Sequence, residues 1–356
     1  MLLAKLKDKN KLIKGMVLVA LCLFVAVFLI MDSIKASKSP AERTFTSMGM
    51  DTIISCSLQA QDAEGLEDEI KGIIDSVAGK IDRFDVASAV SRANSTLAVE
   101  LDGEQLEWYR QIFELQQLSG GALDCSLGNI SALWDFNSQS PRLPKKSDIE
   151  RYLDAERGFS LEHDELVLRQ AGSLDLGAVG KGIACDAVAA ALSGKSQRVV
   201  LSVGGSVLLF GDGEFSVGIH TPGGAAGECF ATIKMSAGFV STSGSYERYF
   251  ELDGKRYHHI LDPKTGYPAE TGIVSVTVIA SGGLTADGLS TACFVLGYEK
   301  SKSLLEKYGA SAVFVDEDKR VFVYPESTGG DAISLGEGLS LEITDENYKL
   351  AAGEGQ

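Results

Sequence analysis

The sequence predicts an α+β fold with a mixed, largely antiparallel sheet and flanking helices, behind one N-terminal transmembrane helix. Runs in which apolar residues alternate, as in half-buried strands, are mixed with runs of helical periodicity. They form no regular strand–helix–strand repeat, which a parallel sheet would require. One uncharged apolar run near the N terminus precedes them and predicts the membrane helix.

Composition, net charge and cysteine spacing exclude some classes of function. The 356 residues are 45% hydrophobic and 23% charged, an ordinary balance for a globular protein. The formal net charge is −16, and no basic patch is evident, so nucleic acid is not an expected partner. The six cysteines are scattered without a C-x-x-C pair, which predicts neither a zinc framework nor a disulfide-dense scaffold. We expect most of them to be small core residues.

The first 44 residues predict a membrane anchor and its flanks. Five lysines precede an uncharged apolar run at residues 15–31. As a helix this run spans roughly 25 Å, slightly short of a bilayer core of ~30 Å. The lysine bias places residues 1–14 in the cytoplasm and the body outside, at the cell membrane, with residues 32–44 as a tether. A cleaved signal peptide is the alternative, although the run is long for one and no A-x-A site follows.

The body, residues 45–326, begins with clearly periodic elements. A strand is predicted at residues 48–58, and a polar turn or short helix at residues 88–94. Between them, apolar residues at helical spacing predict an amphipathic helix at residues 64–84, namely Leu66, Ile70, Ile73, Ile74, Val77 and Ile81. A helix at residues 104–118 ends at a Ser-Gly-Gly run, and a short helix is expected near residues 147–155.

The second half of the body mixes strands and helices more closely. A strand ending at residues 173–174, a glycine-rich turn at 175–182 and an alanine-rich helix at 183–192 come first. Further expected elements are a strand–turn–strand at 199–209, strands at 215–219, 229–235 and 273–280, a helix at 300–308, and a hairpin of 312–315 with 321–323. We expect the Gly- and acid-rich residues 327–356 to form a loosely held tail.

The glycine-rich turn DLGAVGKG, from Asp175 to Gly182, is a candidate phosphate site. A strand, a glycine-rich turn and a helix in this order offer backbone N–H groups and a helix N-terminus to an anion. Lys181 adds a positive charge suited to a pyrophosphate. The turn matches neither the P-loop nor the dinucleotide-binding fingerprint. The alternative is that its glycines only connect two elements.

A second candidate site lies between residues 254 and 294. Asp287 and Thr291 are four residues apart on a predicted helix, so their oxygens lie on one face, one turn apart. Such oxygens suit Mg2+, which keeps part of its shell for water and phosphate. His258 and His259 lie nearby, and a histidine can move a proton near neutral pH. The alternative is that Asp287 is an ordinary residue of a helix start.

Taken together, the motifs of the body resemble those of the ApbE family of FAD:protein FMN transferases. The resemblance rests on MGMDT, SAVSRAN, GALD, LWDF, DLGAVGKGIACD, SVGGSV, STSGSYER, HHILDPKTG and ADGLSTA, which occur in the family's order between residues 48 and about 323. It implies an enzyme that binds FAD with Mg2+ at the pyrophosphate. A Ser or Thr hydroxyl of an acceptor protein attacks the phosphorus on the FMN side, AMP leaves, and FMN stays attached through a phosphoester.

The resemblance also implies roles for individual residues. The metal ligands fall on the main-chain carbonyl of Ala178 and the side chains of Asp287 and Thr291. His259 matches the family's histidine and is the implied general base. The flavin and pyrophosphate contacts fall on five positions, which are Met48, Leu123, Asp124, Asp175 and Lys181. Departures from the family pattern, such as Met50-Asp51 and Leu123, change the expected pocket shape and remove no implied ligand.

The expected partners are FAD and an exported or membrane acceptor protein that carries a Ser/Thr flavinylation site, with a subunit of a membrane redox complex as one candidate. Two alternatives use the same residues differently. One is an FAD pyrophosphatase that releases FMN and AMP, and the other is a non-catalytic flavin-binding membrane protein. If the backbone at His258 and His259 is extended, their side chains point to opposite faces, so only one of them faces the site.

Overall fold

The computed structural model describes residues 40–136, 138, 140–327 and 333–351, and these form an α+β fold with mixed, mostly antiparallel sheets, as the sequence predicts. The transmembrane anchor predicted at residues 15–31 lies outside the described residues. Across the described ranges, no helix is both long and apolar enough to traverse a bilayer.

The largest sheet has nine strands, and its neighbouring strands are antiparallel except at one edge, where the last pair is parallel. In spatial order the strands are β1 (Ala41–Gly49), β2 (Thr52–Ala60), β6 (Arg198–Val203), β7 (Ser206–Gly211), β10 (Gly238–Gly244), β13 (Ile273–Ala280), β14 (Ser311–Asp316), β15 (Arg320–Tyr324) and β18 (Lys349–Leu350).

Three smaller sheets accompany it. The first has the order β16 (Ile333–Gly336), β17 (Leu339–Ile343), β9 (Cys229–Met235) and β8 (Phe215–His220). The second has the order β3 (Ala98–Glu100), β5 (Glu165–Leu168) and β4 (Phe159–Glu162), and the third is the hairpin β11 (Tyr249–Leu252) with β12 (Lys255–His258).

The helices are α1 (Leu66–Ile81), α2 (Ala89–Thr96), α3 (Gly103–Leu118), α4 (Gly128–Trp134), α5 (Lys146–Leu153), α6 (Gly180–Leu192), α7 (Gly283–Leu296) and α8 (Tyr298–Tyr308). Neighbouring residues of β13 show that both faces of the large sheet are covered. Val278 belongs to the apolar core shared with the helices, and Ile279 to the core shared with the four-stranded sheet. Because successive strand residues point to opposite faces, the large sheet lies between these two cores.

The first turns of α6 and α7 cross at van der Waals contact, which requires glycine. A Cβ atom on Gly182 would lie 2.1 Å from the carbonyl oxygen of Gly283, and a Cβ on Gly283 would lie 2.3 Å from that of Gly182. Each helix also supplies a carboxylate to the other. Asp287 of α7 accepts the N–H of Gly182, while Asp186 of α6 accepts the N–H groups of Gly283 and Leu284. The two helix N-termini are therefore fixed to one another.

Three expectations from the sequence were wrong in detail. Residues 48–58 are not one strand but the turn and arms of the β1–β2 hairpin, in which Met50 and Asp51 both have positive φ (51° and 57°). The strand expected to end at residues 173–174 is a single bridge between Leu127 and Ser173. Residues 333–350, expected in a loose tail, form β16, β17 and β18. Their apolar side chains join the core shared with the four-stranded sheet, and the Gly- and acid-rich composition gave no sign of this burial.

We predict that Gly182→Ala destabilises the full chain by about 1–3 kcal/mol, because the new methyl group must push two backbones apart. Gly79→Ala in α1 is the matched control, since no atom lies within 4 Å of its added Cβ. The control should stabilise the chain slightly, because alanine favours helix more than glycine does. Denaturant unfolding measures both variants, and equal free energies of unfolding for the two would contradict the close crossing.

Candidate active site at the crossing of two helices

Asp287 is buried at the crossing of α6 and α7, with only 3% of its surface exposed. Its Oδ2 accepts the Gly182 N–H at 3.0 Å, and its Oδ1 accepts the Ser241 hydroxyl at 2.9 Å. Lys181 Nζ lies 3.6 Å from the same Oδ1. These contacts fix the orientation of the carboxylate and place a cation beside it, which is the arrangement expected of a supported ligand-binding group.

Two further candidate oxygen ligands are a hydroxyl and a main-chain carbonyl, which belong to Thr291 and Ala178. The hydroxyl of Thr291, one turn along α7, lies 3.3 Å from that of Ser243 and 3.5 Å from the main-chain oxygen of Asp287. Ala178 is half-buried in the turn before α6. The Gly182 N–H donates to Asp287 rather than completing a helical hydrogen bond to the Ala178 carbonyl four residues earlier.

This donor set fits Mg2+. The described residues include no group of three or more His, Cys, Asp or Glu side chains that could hold a metal. One carboxylate with a hydroxyl and a carbonyl is nevertheless a usual protein contribution for Mg2+, which takes its other oxygens from water and phosphate. The hydrogen bonds that the Asp287 carboxylate accepts from Gly182 and Ser241 would orient it as a metal ligand.

Glu247 borders this site and was not singled out from the sequence. Its Oε1 would lie 3.5 Å from a Cβ on Gly205, at the β6–β7 turn. Glu247 is exposed as a residue, but partial loss of water around its carboxyl raises its pKa. The charge of Lys181 opposes that rise, and the charge of Asp287 adds to it. The pKa of Glu247 therefore depends on the charges of both Lys181 and Asp287. The only sequence signal for it was its place within the STSGSYER motif.

His259 is half-buried and is held by one carbonyl group. Its backbone N–H donates to the main-chain oxygen of Arg248 at 3.1 Å, and its ring Nδ1 lies 3.3 Å from the same oxygen. Since a carbonyl oxygen only accepts hydrogen bonds, this contact assigns the ring proton to Nδ1 and leaves the lone pair on Nε2. Burial, with the positive charges of Arg248 and Lys181, lowers the pKa of His259 to about 3. The imidazole is thus neutral at neutral pH.

His258 points elsewhere. It is buried, its Nε2 lies 3.2 Å from the Ala269 oxygen, and its ring edge packs against Phe294 at a centroid distance of 5.4 Å. The two adjacent histidines contact different groups, as expected if their side chains point to opposite faces.

The remaining residues that the resemblance implies lie in varied surroundings. Met48 is exposed on the β1–β2 hairpin, whereas the side chain of Leu123 is closed inside the core. Asp124 accepts both the N–H and the hydroxyl of Ser126 through Oδ1. Asp175 Oδ2 pairs with Arg83 at 2.9 Å. The structure does not bring the side chain of Leu123 to the surface, so only its main chain could contact a ligand there.

Several residues of the site gave no individual signal in the sequence. They are hydroxyl, acidic and basic residues that support the residues named above through hydrogen bonds or charge, namely Arg83, Ser131, Asp186, Ser241, Ser243 and Glu247. Each contacts a partner that is distant in sequence, so spacing along the chain could not have identified it.

The lowered pKa of His259 predicts a pH-dependent stability. In the unfolded chain this histidine takes up a proton near its ordinary pKa of 6.5, whereas in the folded chain it does so only near 3. Between these values the unfolded chain binds more protons, so stability rises with pH through this window and falls on acidification. His259→Asn removes this contribution. We expect the variant to lose less stability than the wild type between about pH 7 and about pH 5 in urea unfolding. Identical losses of stability would contradict an imidazole that stays neutral in the folded chain.

Comparisons with known proteins identify the family to which the chain belongs. A sequence model of the ApbE family matches residues 50–314. The chain is 38% identical over 227 residues to the FAD:protein FMN transferase of Treponema pallidum, a match that covers 57% of this chain and 63% of that relative. It is 29% identical over 343 residues to the protein of the same name from Haemophilus influenzae, covering 90% of this chain and 97% of that relative.

Solved structures agree with the sequence comparisons. The ApbE protein of Thermotoga maritima superimposes with a TM-score of 0.71 at 30% identity, covering 78% of this chain and 95% of that one. The apo form of the Pseudomonas stutzeri flavinyl transferase ApbE gives a TM-score of 0.68 at 26% identity, covering 86% and 96%. Since the family's motifs, sequence model and fold all match, the chain belongs to the ApbE family, whose curated relatives are named FAD:protein FMN transferases.

Proposed function

We propose that this protein transfers FMN from FAD to a Ser or Thr hydroxyl of an acceptor protein, with Mg2+ as the cofactor and AMP as the second product. The observation that carries the proposal is that Asp287 contacts Lys181 and the N-terminus of α6 and lies one helical turn from Thr291. The names of the relatives support the same activity.

The N-terminus of α6 is suited to the FAD pyrophosphate. The positive end of its dipole favours an anion, and Lys181 adds a full positive charge on the same turn. Asp287, Thr291 and the Ala178 carbonyl would hold Mg2+, which supplies charge neutralisation to the phosphate oxygens. Phosphoryl transfer depends mainly on such positioning and neutralisation, so these groups match its demands.

In the proposed reaction His259 takes the proton of the acceptor's hydroxyl. Its Nδ1 is committed to the Arg248 carbonyl, so Nε2 can accept the proton of the attacking hydroxyl. That oxygen then forms a bond to the FMN-side phosphorus, the bond from this phosphorus to the bridging oxygen breaks, and AMP leaves with the bridging oxygen. The negative phosphates of a bound FAD would raise the pKa of His259 from its low value, which makes the ring a stronger base when substrate is present.

We propose further that residues 15–31 anchor the chain in the cell membrane as a single span and that the body faces the extracytoplasmic side. The proposal rests on the uncharged apolar run and the five lysines before it. Cell fractionation with protease treatment tests it. The full-length chain should sediment with the membrane, and its body should be cleaved from the outside. A soluble mature form that begins after Ala36 would contradict the anchor.

The transfer itself is tested by mass spectrometry of candidate acceptors after incubation with FAD and Mg2+. We expect Asp287→Ala to abolish flavinylation, because the site loses the only carboxylate among its proposed ligands. Asp287→Asn keeps the volume and a hydrogen-bond acceptor for Gly182 while removing the charge, and it should also be inactive. Asp212→Ala, on an exposed turn, is the control and should be fully active. Equal release of AMP with and without acceptor would instead favour a pyrophosphatase.

The two histidines give a second test of the mechanism. General-base assistance contributes about 10²–10⁴ in rate, so His259→Asn should slow flavinylation by that range at saturating FAD, with little change in FAD binding. His258→Asn is the matched control and should have a much smaller effect, because its ring packs against Phe294. If neither variant is slowed, another group activates the hydroxyl.

A further inference from the structure

Trp134 is the centre of a small aromatic core that is separate from the cores of the large sheet. Its indole is completely buried and stacks on Phe136 at a centroid distance of 5.5 Å. The rings of Tyr257, Tyr267 and Phe250 surround it at 5.6, 5.6 and 6.3 Å. This core includes α4 and α5 and the two chain segments that flank His259.

The first of these segments is the β11–β12 hairpin. Phe250 and Tyr257 are opposite one another in its ladder and stack at 5.3 Å, and both face the indole. The hairpin begins directly after Arg248, whose carbonyl holds His259, and it ends at His258. Its placement against Trp134 therefore determines where the Arg248 oxygen lies.

The second segment is the turn that follows His259. The backbone N–H of Asp262 donates to the Tyr267 oxygen, and the main-chain oxygen of Asp262 accepts the N–H of Gly266. These two hydrogen bonds close the turn. Trp134 Nε1 donates to the Gly266 oxygen at 2.9 Å, and the ring of Tyr267 meets the indole edge-on. Gly266 has a φ of 69° and no room for a side chain, since its Cβ would lie 2.6 Å from Ile149. The turn is thus held by the indole hydrogen bond, by a hydrogen bond from Arg157 to the Pro263 oxygen at 3.1 Å, and by close packing.

We propose that Trp134 is a positioning residue for His259: it joins the hairpin before the histidine to the turn after it, and so keeps the Arg248 carbonyl on Nδ1 and leaves Nε2 open. This inference rests on the proposed function for its catalytic consequence. Its structural part, the tautomer of His259, does not depend on any activity.

The test compares Trp134→Phe with Trp108→Phe. The first keeps an aromatic ring and loses the N–H donor. The second makes the same chemical change in α3, in the main core rather than in the aromatic core around Trp134. The ring nitrogens of His259 are observed by ¹⁵N NMR in the full chain without FAD, and the signals are assigned by their loss in His259→Asn. The wild type and Trp108→Phe should show the proton on Nδ1 alone. Trp134→Phe should show a mixture of the two neutral tautomers.

Activity then separates positioning from general damage. A small misplacement of a catalytic group costs up to ~10²-fold in rate, so Trp134→Phe should lower kcat by roughly 10- to 100-fold with little change in the KM for FAD. In a His259→Asn background the same change should have almost no further effect, because the two residues act as one unit. Phe250→Leu, which removes a contact to the hairpin and leaves the indole bond intact, should behave similarly and guards against a folding defect of the first variant.

Three results would overturn the proposal: a single Nδ1 tautomer in both Trp134→Phe and Phe250→Leu, wild-type kcat in both, or an undiminished loss of kcat in the His259→Asn background. A changed tautomer in an enzyme that flavinylates no acceptor would support the positioning role and contradict the proposed function. An unchanged tautomer in an active transferase would contradict the positioning role and support the proposed function.

Discussion

The reciprocal capping of α6 and α7 is the interaction on which the site depends. Each helix begins with N–H groups that lack partners within their own helix, and each is capped by a carboxylate from the other. Burial raises the pKa of Asp186, and its two backbone hydrogen bonds work against that rise. The charge-assisted bonds offset the cost of burying two carboxylates, and the helix dipoles favour the same arrangement. A rigid junction results, with Asp287 fixed beside Lys181.

Local features of this junction could be predicted from the sequence, whereas the junction itself could not. The spacing of Asp287 and Thr291 indicates one helix face, and the glycine-rich turn before Lys181 indicates an exposed helix start. The role of Asp186 depends on a hydrogen bond to a residue 97 positions later, which no local pattern encodes. The need for Gly182 likewise arises only from the approach of Gly283.

The same distinction explains the errors in the fold. The helix α1 and the strands β6 and β7 follow periodicity and a Gly-Gly turn, so they were placed correctly. The β1–β2 turn is made by Met50 and Asp51 in left-handed conformations that glycine and asparagine usually provide, so no turn signal was present. The strands β16 and β17 are short. β17 pairs with β9, more than a hundred residues away in sequence, and β16 pairs with β17, so their stability depends on a contact that no local pattern encodes.

The two halves of the site are built on different kinds of support. Asp287, Thr291 and Lys181 lie on helices that pack into the main core, so the half that would hold phosphate and metal has little freedom to shift. His259 lies between the β11–β12 hairpin and a turn, both supported by an aromatic core with few members. In the proposed reaction an acceptor protein presents its hydroxyl to His259. A small separate support would allow that side to be shaped for an acceptor while the phosphate side stays unchanged. The contact between Trp134 and Gly266, 132 residues apart in the chain, is where this acceptor side is tied to the rest of the molecule.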